Sequence, residues 1–191
     1  MTTFPSSDAV ARIRVIDEDE ADGKLFELYD EIQRNRGRVS NILRSQSLDP
    51  KAMRAHLDLY MAAVFGKGGL SRKEAELVAL ASSLANGDQY CVTHLSEALA
   101  RYAGDGEWVH QLLKDPRKAR LTPRESALWE FADALTRSPA KAGVEPLRKT
   151  GLRDEEILQA TEVVGYFNFA NRLSLGLGVE LEDPADRDYV Y

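Results

Sequence analysis

Apolar residues along this 191-residue chain recur at intervals of three and four, and the strict alternation that a half-buried strand needs is nearly absent. After an extended lead-in, "ADGKLFELYDEIQRNRG" sets Leu25, Leu28 and Ile32 at helical spacing and stops at Gly37. "DPKAMRAHLDLYMAAVFG" has a proline suited to a first helical position and carries Met53, Leu57, Tyr60, Met61 and Val64 on one stripe. "SRKEAELVALASSLANG" opens on a capping box, Ser71 to Glu74, and closes on Asn86-Gly87, a left-handed stop. "DQYCVTHLSEALARYAG" follows at once and ends at Gly104. A shorter helix fits "EWVHQLLKD", and "TPRESALWEFADALTRSP" begins with a second capping box, Thr122 to Glu125, with Pro123 at its first position. "VEPLRKTG" gives at most two turns, and a long helix starts near Asp154.

This pattern predicts an all-α fold: one domain over 1–191, short connections, consecutive helices antiparallel, and a hairpin over about 70–104 at its centre. The tail from about 181 to 191, "LEDPADRDYVY", lacks periodicity and is expected to lie over a neighbour or hang free.

Composition narrows the function classes. With 43% hydrophobic and 29% charged residues the chain can bury a core. A net charge of −6 without a long basic run argues against a nucleic-acid partner. The longest clean apolar run, Leu59 to Phe65, is far too short to span a bilayer, and the first residues lack the basic-then-apolar form of a secretory signal. A single cysteine permits no disulfide within the chain, so a cytoplasmic setting is expected.

That cysteine, Cys91, falls in the first turn of the helix beginning near Asp88, where unpartnered amides and the helix dipole favour a thiolate. At about 100° per residue, positions 94 and 95 flank residue 91 on the helix surface, so His94 and Leu95 are its neighbours. Counted back from Gly87, Glu76 stands nearly level with position 95, and Cys91 lies about one turn nearer the hairpin tip. Glu76, a group at 94 or 95, and Cys91 can therefore form a proton relay. Each residue also has a plainer reading. Asp88 suits a helix N-cap, Cys91 a small buried hydrophobe, His94 a hydrogen-bonded structural residue, and Glu76 a salt-bridged helix residue.

"SRKEAELVALASSLANGDQYCVTHLSEAL" resembles the core of the alkylhydroperoxidase AhpD and carboxymuconolactone decarboxylase superfamily, particularly its peroxidase-related branch. "GYFNFANRLSLGLGVELE" and "RIRVIDEDEADGKLFELYDEIQRNRGRVSNI" extend the likeness over most of the chain. The resemblance implies an all-α, AhpD-like oligomer that reduces hydroperoxides with a Cys-x-x-Cys pair, a Glu and a His. Carried across, Glu76 takes the place of the relay Glu, Cys91 of the second cysteine and His94 of the first of two histidines. Asp88 stands where the first cysteine would be and Leu95 where the relay His would be.

These departures shape the expectation. Asp88 cannot form a disulfide, so a sulfenate on Cys91 needs a thiol reductant from outside. A carboxylate one turn away also opposes the thiolate, which leaves a thiol of near-ordinary acidity. Cys91, Glu76, His94 and Asp88 are the candidate catalytic residues, acting on a small-molecule hydroperoxide, with no cofactor and no metal set. Two alternatives stand beside this: acid–base lyase chemistry on a small organic acid, using Asp88, Glu76 and His94, and a helical homo-oligomer that binds without turnover.

Elsewhere, "GKGGLSRKE" lacks phosphate-loop spacing and reads as a flexible turn. Tyr166, Phe167, Phe169, Trp108 and Trp129 suit core or a subunit interface, or the lining of a pocket. Asn168, Asn171 and Arg172, polar within an apolar stretch, are expected to be paired at an interface or near the site.

Overall fold

The helix signals mature into helices at nearly the predicted bounds. The computed structural model describes residues 10–184, and among these there are nine α-helices and no strand. They are α1 (Gly23–Arg36), α2 (Asn41–Arg44), α3 (Pro50–Phe65), α4 (Arg72–Asn86), α5 (Gln89–Ala103), α6 (Gly106–Lys114), α7 (Pro123–Arg137), α8 (Glu145–Lys149) and α9 (Asp154–Leu177), with a 3-10 turn at Pro139–Lys141. No helix among the described residues is long and apolar enough to cross a membrane.

The contacts divide into two compact units. One comprises, of the described residues, 10–59 together with 172–184. Its core is the predicted stripe of α1, Leu25, Leu28 and Ile32, joined by Tyr29, Ile42, Leu43, Met53 and Leu57. Polar ties close it. Arg12 N–H donates to the Leu177 carbonyl at 2.7 Å, and Glu180 N–H donates to the Val10 carbonyl at 3.0 Å. Asn41 receives the tail, its side-chain amide donating to the Glu180 carbonyl at 3.0 Å and its backbone N–H to a Glu182 carboxylate oxygen at 2.6 Å. The rest of the predicted tail, 185–191, lies outside the described residues. His56 is buried here, with Gln46 Nε2 2.6 Å from its Nδ1, and burial pulls its pKa from 6.5 down to about 4.

The other unit spans Tyr60–Asn171 and is built around α4, which packs on both α5 and α7. Every residue of α4 from Ala75 to Ser83 is buried, so this helix has no solvent face over more than two turns. Small side chains (Ala75, Ala79, Ala81, Ser82, Ser83) let its neighbours approach closely, and Leu77, Val78 and Leu80 fill the gaps between them. Glu76 is the one charged residue in that buried run.

Both predicted capping boxes are present. The Ser71 and Thr122 side chains accept from the backbone of Glu74 and Glu125, and each glutamate reaches back to its cap. Gly87 ends α4 in the left-handed region at φ 71°, which lets its own N–H and that of Asp88 return to the carbonyls of the last turn. Only Gly87 and Asp88 separate α4 from α5.

Of the stretch expected to be a flexible turn, Gly66 to Glu74, the part from Gly66 to Leu70 is instead clamped. Gln159 of α9 is buried; its Nε2 donates to the Ala63 and Gly66 carbonyls, each at 3.2 Å, and its Oε1 accepts from Leu70 N–H at 3.0 Å. A methyl group on Gly68 would stand 2.6 Å from the Gln159 side chain, and Gly69 holds φ 103° against Arg153.

Candidate functional site

Cys91 occupies the third helical position of α5 and is 6% exposed. Asp88 is the N-cap, as its place after Gly87 suggested. Its Oδ1 accepts from the backbone N–H of Tyr90 at 3.1 Å and of Cys91 at 3.4 Å. The carboxylate and the thiol-bearing residue are thus tied through the first turn of one helix. Asp88 is itself buried, and its Oδ2 accepts from Asn171 Nδ2 of α9 at 2.8 Å.

Asn171 belongs to a wider set of amides. Its Nδ2 also donates to Ser83 Oγ at 3.1 Å, and Asn86 Nδ2 donates to its Oδ1 at 2.8 Å. Asn86 also donates to Asn168 Oδ1 at 3.3 Å, while Asn168 Nδ2 reaches Thr136 Oγ1 at 3.1 Å and the Val164 carbonyl at 2.9 Å. Of the three polar residues expected to be paired at an interface or near the site, Asn168 and Asn171 are paired through these bonds.

Glu76 lies in the middle of α4, 1% exposed, with its Oε1 2.5 Å from Arg72 Nη2. Arg72 is held from other sides too. Its guanidinium carbon sits 3.6 Å over the Phe65 ring, and its Nη1 donates to the Val64 carbonyl at 3.3 Å. Burying a carboxylate demands such a partner, because the bare charge would cost several kcal/mol or more. Arg72 is the neighbour of Glu76 that the sequence reading missed. The signal was present, since Arg and Glu four residues apart on a helix face each other.

His94 is half-buried, and its ring lies against that of Tyr90 one turn back, with centroids 4.7 Å apart and the planes tilted by 58°. Leu95 is buried. Among the described residues no three His, Cys, Asp or Glu side chains converge in a group that could hold a metal ion.

Residues 50–134 match the family model of the carboxymuconolactone decarboxylase family. The fold is also that of a solved AhpD-core protein, an uncharacterised peroxidase-related protein from Ralstonia eutropha JMP134, with TM-score 0.84, 24% identity and coverage of 93% of this chain and 95% of that one. The match to this family is carried by residues 50–134, and the fold of the chain is AhpD-like.

Other members of this fold widen the picture. A protein of unknown function from Agrobacterium tumefaciens, described as a putative antioxidant defence protein AhpD, is 28% identical over 72% of this chain and 95% of its own, with TM-score 0.63. The debrominase Bmp8, solved as a cysteine-to-alanine variant with 2,3,4-tribromopyrrole, has TM-score 0.76 and 20% identity over 93% of this chain and 94% of its own. No curated protein matches the sequence. Asp88, which the resemblance sets in the place of a first thiol, is buried and caps the helix that carries Cys91.

Proposed function

We propose that this chain is a thiol-dependent, AhpD-like oxidoreductase that reduces hydroperoxides through Cys91. The observation that carries this reading is the place of Cys91, in the amide-rich first turn of α5, beside the central helix that buries Glu76. The helix dipole favours the thiolate there.

In the first step the thiolate attacks the distal peroxide oxygen of ROOH. An S–O bond forms, the O–O bond breaks, and the leaving alkoxide takes a proton to become ROH, with His94 as donor and Glu76 as the buried anion that balances it. Sulfur is oxidised from thiolate to sulfenic acid and the peroxide is reduced by two electrons. Because Asp88 offers no second thiol, an external thiol R′SH condenses with the sulfenic acid, releasing water and forming a mixed disulfide. A second R′SH returns Cys91 as thiol and leaves R′SSR′. Asp88 acts as the cap that sets the acidity of the thiol rather than as an acid or base, since both its oxygens are engaged by N–H groups.

A second reading is favoured by the debrominase of the same fold, whose cysteine-to-alanine variant was solved with a bromopyrrole. In that reading the same sulfur acts on a halogenated aromatic. We also read the chain as a cytoplasmic homo-oligomer, with the exposed Leu158 and Phe169 of α9 as candidate contact residues.

The test is consumption of cumene hydroperoxide and of 2,3,4-tribromopyrrole with dithiothreitol as reductant, comparing the parent chain with Cys91→Ala. Peroxide loss that depends on Cys91 supports the first reading, and thiol-dependent bromide release the second. Turnover that survives Cys91→Ala would overturn both and favour acid–base chemistry.

A further inference from the structure

Asn171 has no freedom in how it presents its amide. It is completely buried, and its two ends face partners of opposite kind. The Asp88 carboxylate and the Ser83 hydroxyl receive its Nδ2, while the Asn86 amide donates to its Oδ1. Rotating the amide by half a turn would set oxygen against carboxylate and NH2 against NH2, so the network fixes the orientation. Asn86 is fixed in turn by its second bond to Asn168.

The choice of an amide at this point has an electrostatic consequence. Asp88 needs a donor for Oδ2, because its Oδ1 is occupied by the first turn of α5. An Arg or Lys would satisfy that oxygen and cancel its charge at the same time. An amide satisfies the oxygen and leaves the net charge in place, drawing only part of it toward itself. The carboxylate that caps the turn carrying Cys91 is thus bonded by an amide, and a carboxylate placed there works against a thiolate.

We propose that Asn171 is a positioning residue for Cys91: by bonding the second oxygen of Asp88 it fixes the cap of α5 and limits how strongly that carboxylate suppresses the thiolate. This deepens the proposed function and rests on Cys91 as the reacting group. Its test reads thiol acidity rather than turnover, so the two can fail separately.

The single cysteine makes the measurement clean. The ultraviolet absorbance of the thiolate is followed against pH, with Cys91→Ser as the baseline for tyrosine ionisation. In Asp88→Asn, which keeps a cap acceptor and removes the charge, the Cys91 midpoint falls by about one pH unit, giving about tenfold more thiolate well below it. In Asn171→Leu, close in volume but without donors, the midpoint rises by about half a unit, giving about threefold less thiolate. In the double variant Asn171→Leu has nothing left to act on, and the midpoint matches that of Asp88→Asn alone. Glu76 on α4 and His94 on α5, the other titratable groups of the site, are the same in every chain and cancel in the comparison.

Asn86→Ala, at a half-exposed position, loosens Asn171 without emptying the core and moves the midpoint in the same direction by less. It also carries the test if Asn171→Leu fails to fold. An unmoved midpoint in both Asn variants, or an Asn171→Leu shift of equal size with and without the Asp88 charge, overturns the proposal. Absence of peroxide turnover alongside the expected midpoints would sink the proposed function alone.

Discussion

The two ends of α4 are tied to their surroundings by different physics. At its beginning, the glutamates that complete the capping boxes are shared with basic residues from other helices. Arg124 of α7 donates to Glu74 Oε1 at 2.5 Å and to Glu156 Oε1 at 2.9 Å, and Lys73 Nζ reaches Glu125 Oε1 at 2.7 Å. Three helix starts, those of α4, α7 and α9, are thereby laced together by full charges.

At its end, the ties are the amides of Asn86, Asn168 and Asn171 around one carboxylate, Asp88. The charged lacing is partly exposed, so its ions keep some hydration, and it serves stability. The amide set runs from the half-buried Asn86 and Asn168 to the buried Asn171 and Asp88, at the helix turn that carries the chain's only thiol, where a neighbouring cation would change the chemistry of that thiol. At these two places the devices differ: full charges where the first turn of α4 meets α7 and α9, neutral donors at the turn that carries the thiol.

The first turn of α4 also carries the Arg72–Glu76 pair, and removing its cation has the largest expected effect. Arg72→Met leaves the buried Glu76 carboxylate without its guanidinium and is expected to cost roughly 3–5 kcal/mol, read by urea denaturation. Adding Glu76→Gln recovers part of the loss, because the lone charge is then gone. A small loss in Arg72→Met that Glu76→Gln does not relieve would count against the pair.

Acid titration separates the charged end from its background. His56 folds neutral with a pKa near 4 against an ordinary 6.5, so the unfolded chain takes up its proton first as pH falls. Its contribution is complete above pH 6.5 and disappears on the way down to about pH 4, a change of about 3 kcal/mol. His56→Gln should flatten this upper limb of the stability curve.

The carboxylates give a separate, lower limb. Burial alone would raise the Glu74 carboxyl, but Arg124 and Ser71 together hold it below its ordinary 4.5. Burial would likewise raise Glu125, which Lys73 and Thr122 hold down. Glu156 is lowered first by the Arg153 amide and then by Arg124. Such groups contribute fully above pH 4.5 and lose that contribution as pH falls through their depressed values. Arg124→Met should cost roughly 1–3 kcal/mol at neutral pH and shallow the limb below 4.5 while leaving the His56 limb unchanged.

The smallest effect belongs to the amide end. Asn86→Ala removes neutral hydrogen bonds and is expected to cost about 1 kcal/mol. Repeating the denaturation in molar salt sharpens the contrast, since the Arg124→Met penalty should shrink with screening and the Asn86→Ala penalty should not. Equal salt sensitivity of the two would erase the distinction between the ends.

Local rules carried most of the fold from the sequence. Capping boxes at Ser71 and Thr122, the Gly87 stop and the Asp88 cap each need only a few consecutive residues, and each stands as the pattern predicts. Features that depend on partners far along the chain were less visible. Asn171 could be marked as a polar residue in an apolar stretch, but its bond to Asp88 joins residues 83 apart. Gln159 gave no sign that it would seize the Gly66–Leu70 turn 89 to 93 residues away. The α4 pattern located a helix, while its burial on all sides came from neighbours that periodicity does not report.

The clamped turn before α4 has a geometric consequence. Because Gly68 has no room for a side chain and Leu70 is pinned through its amide, the zero mark of the central helix is set by Gln159. Each residue then adds about 1.5 Å, so this datum fixes the height at which Glu76 stands and, ten residues on, that of Asn86. An insertion between Gly66 and Leu70 would act like sliding a ruler against its scale, shifting both marks together while every local helix signal stayed intact.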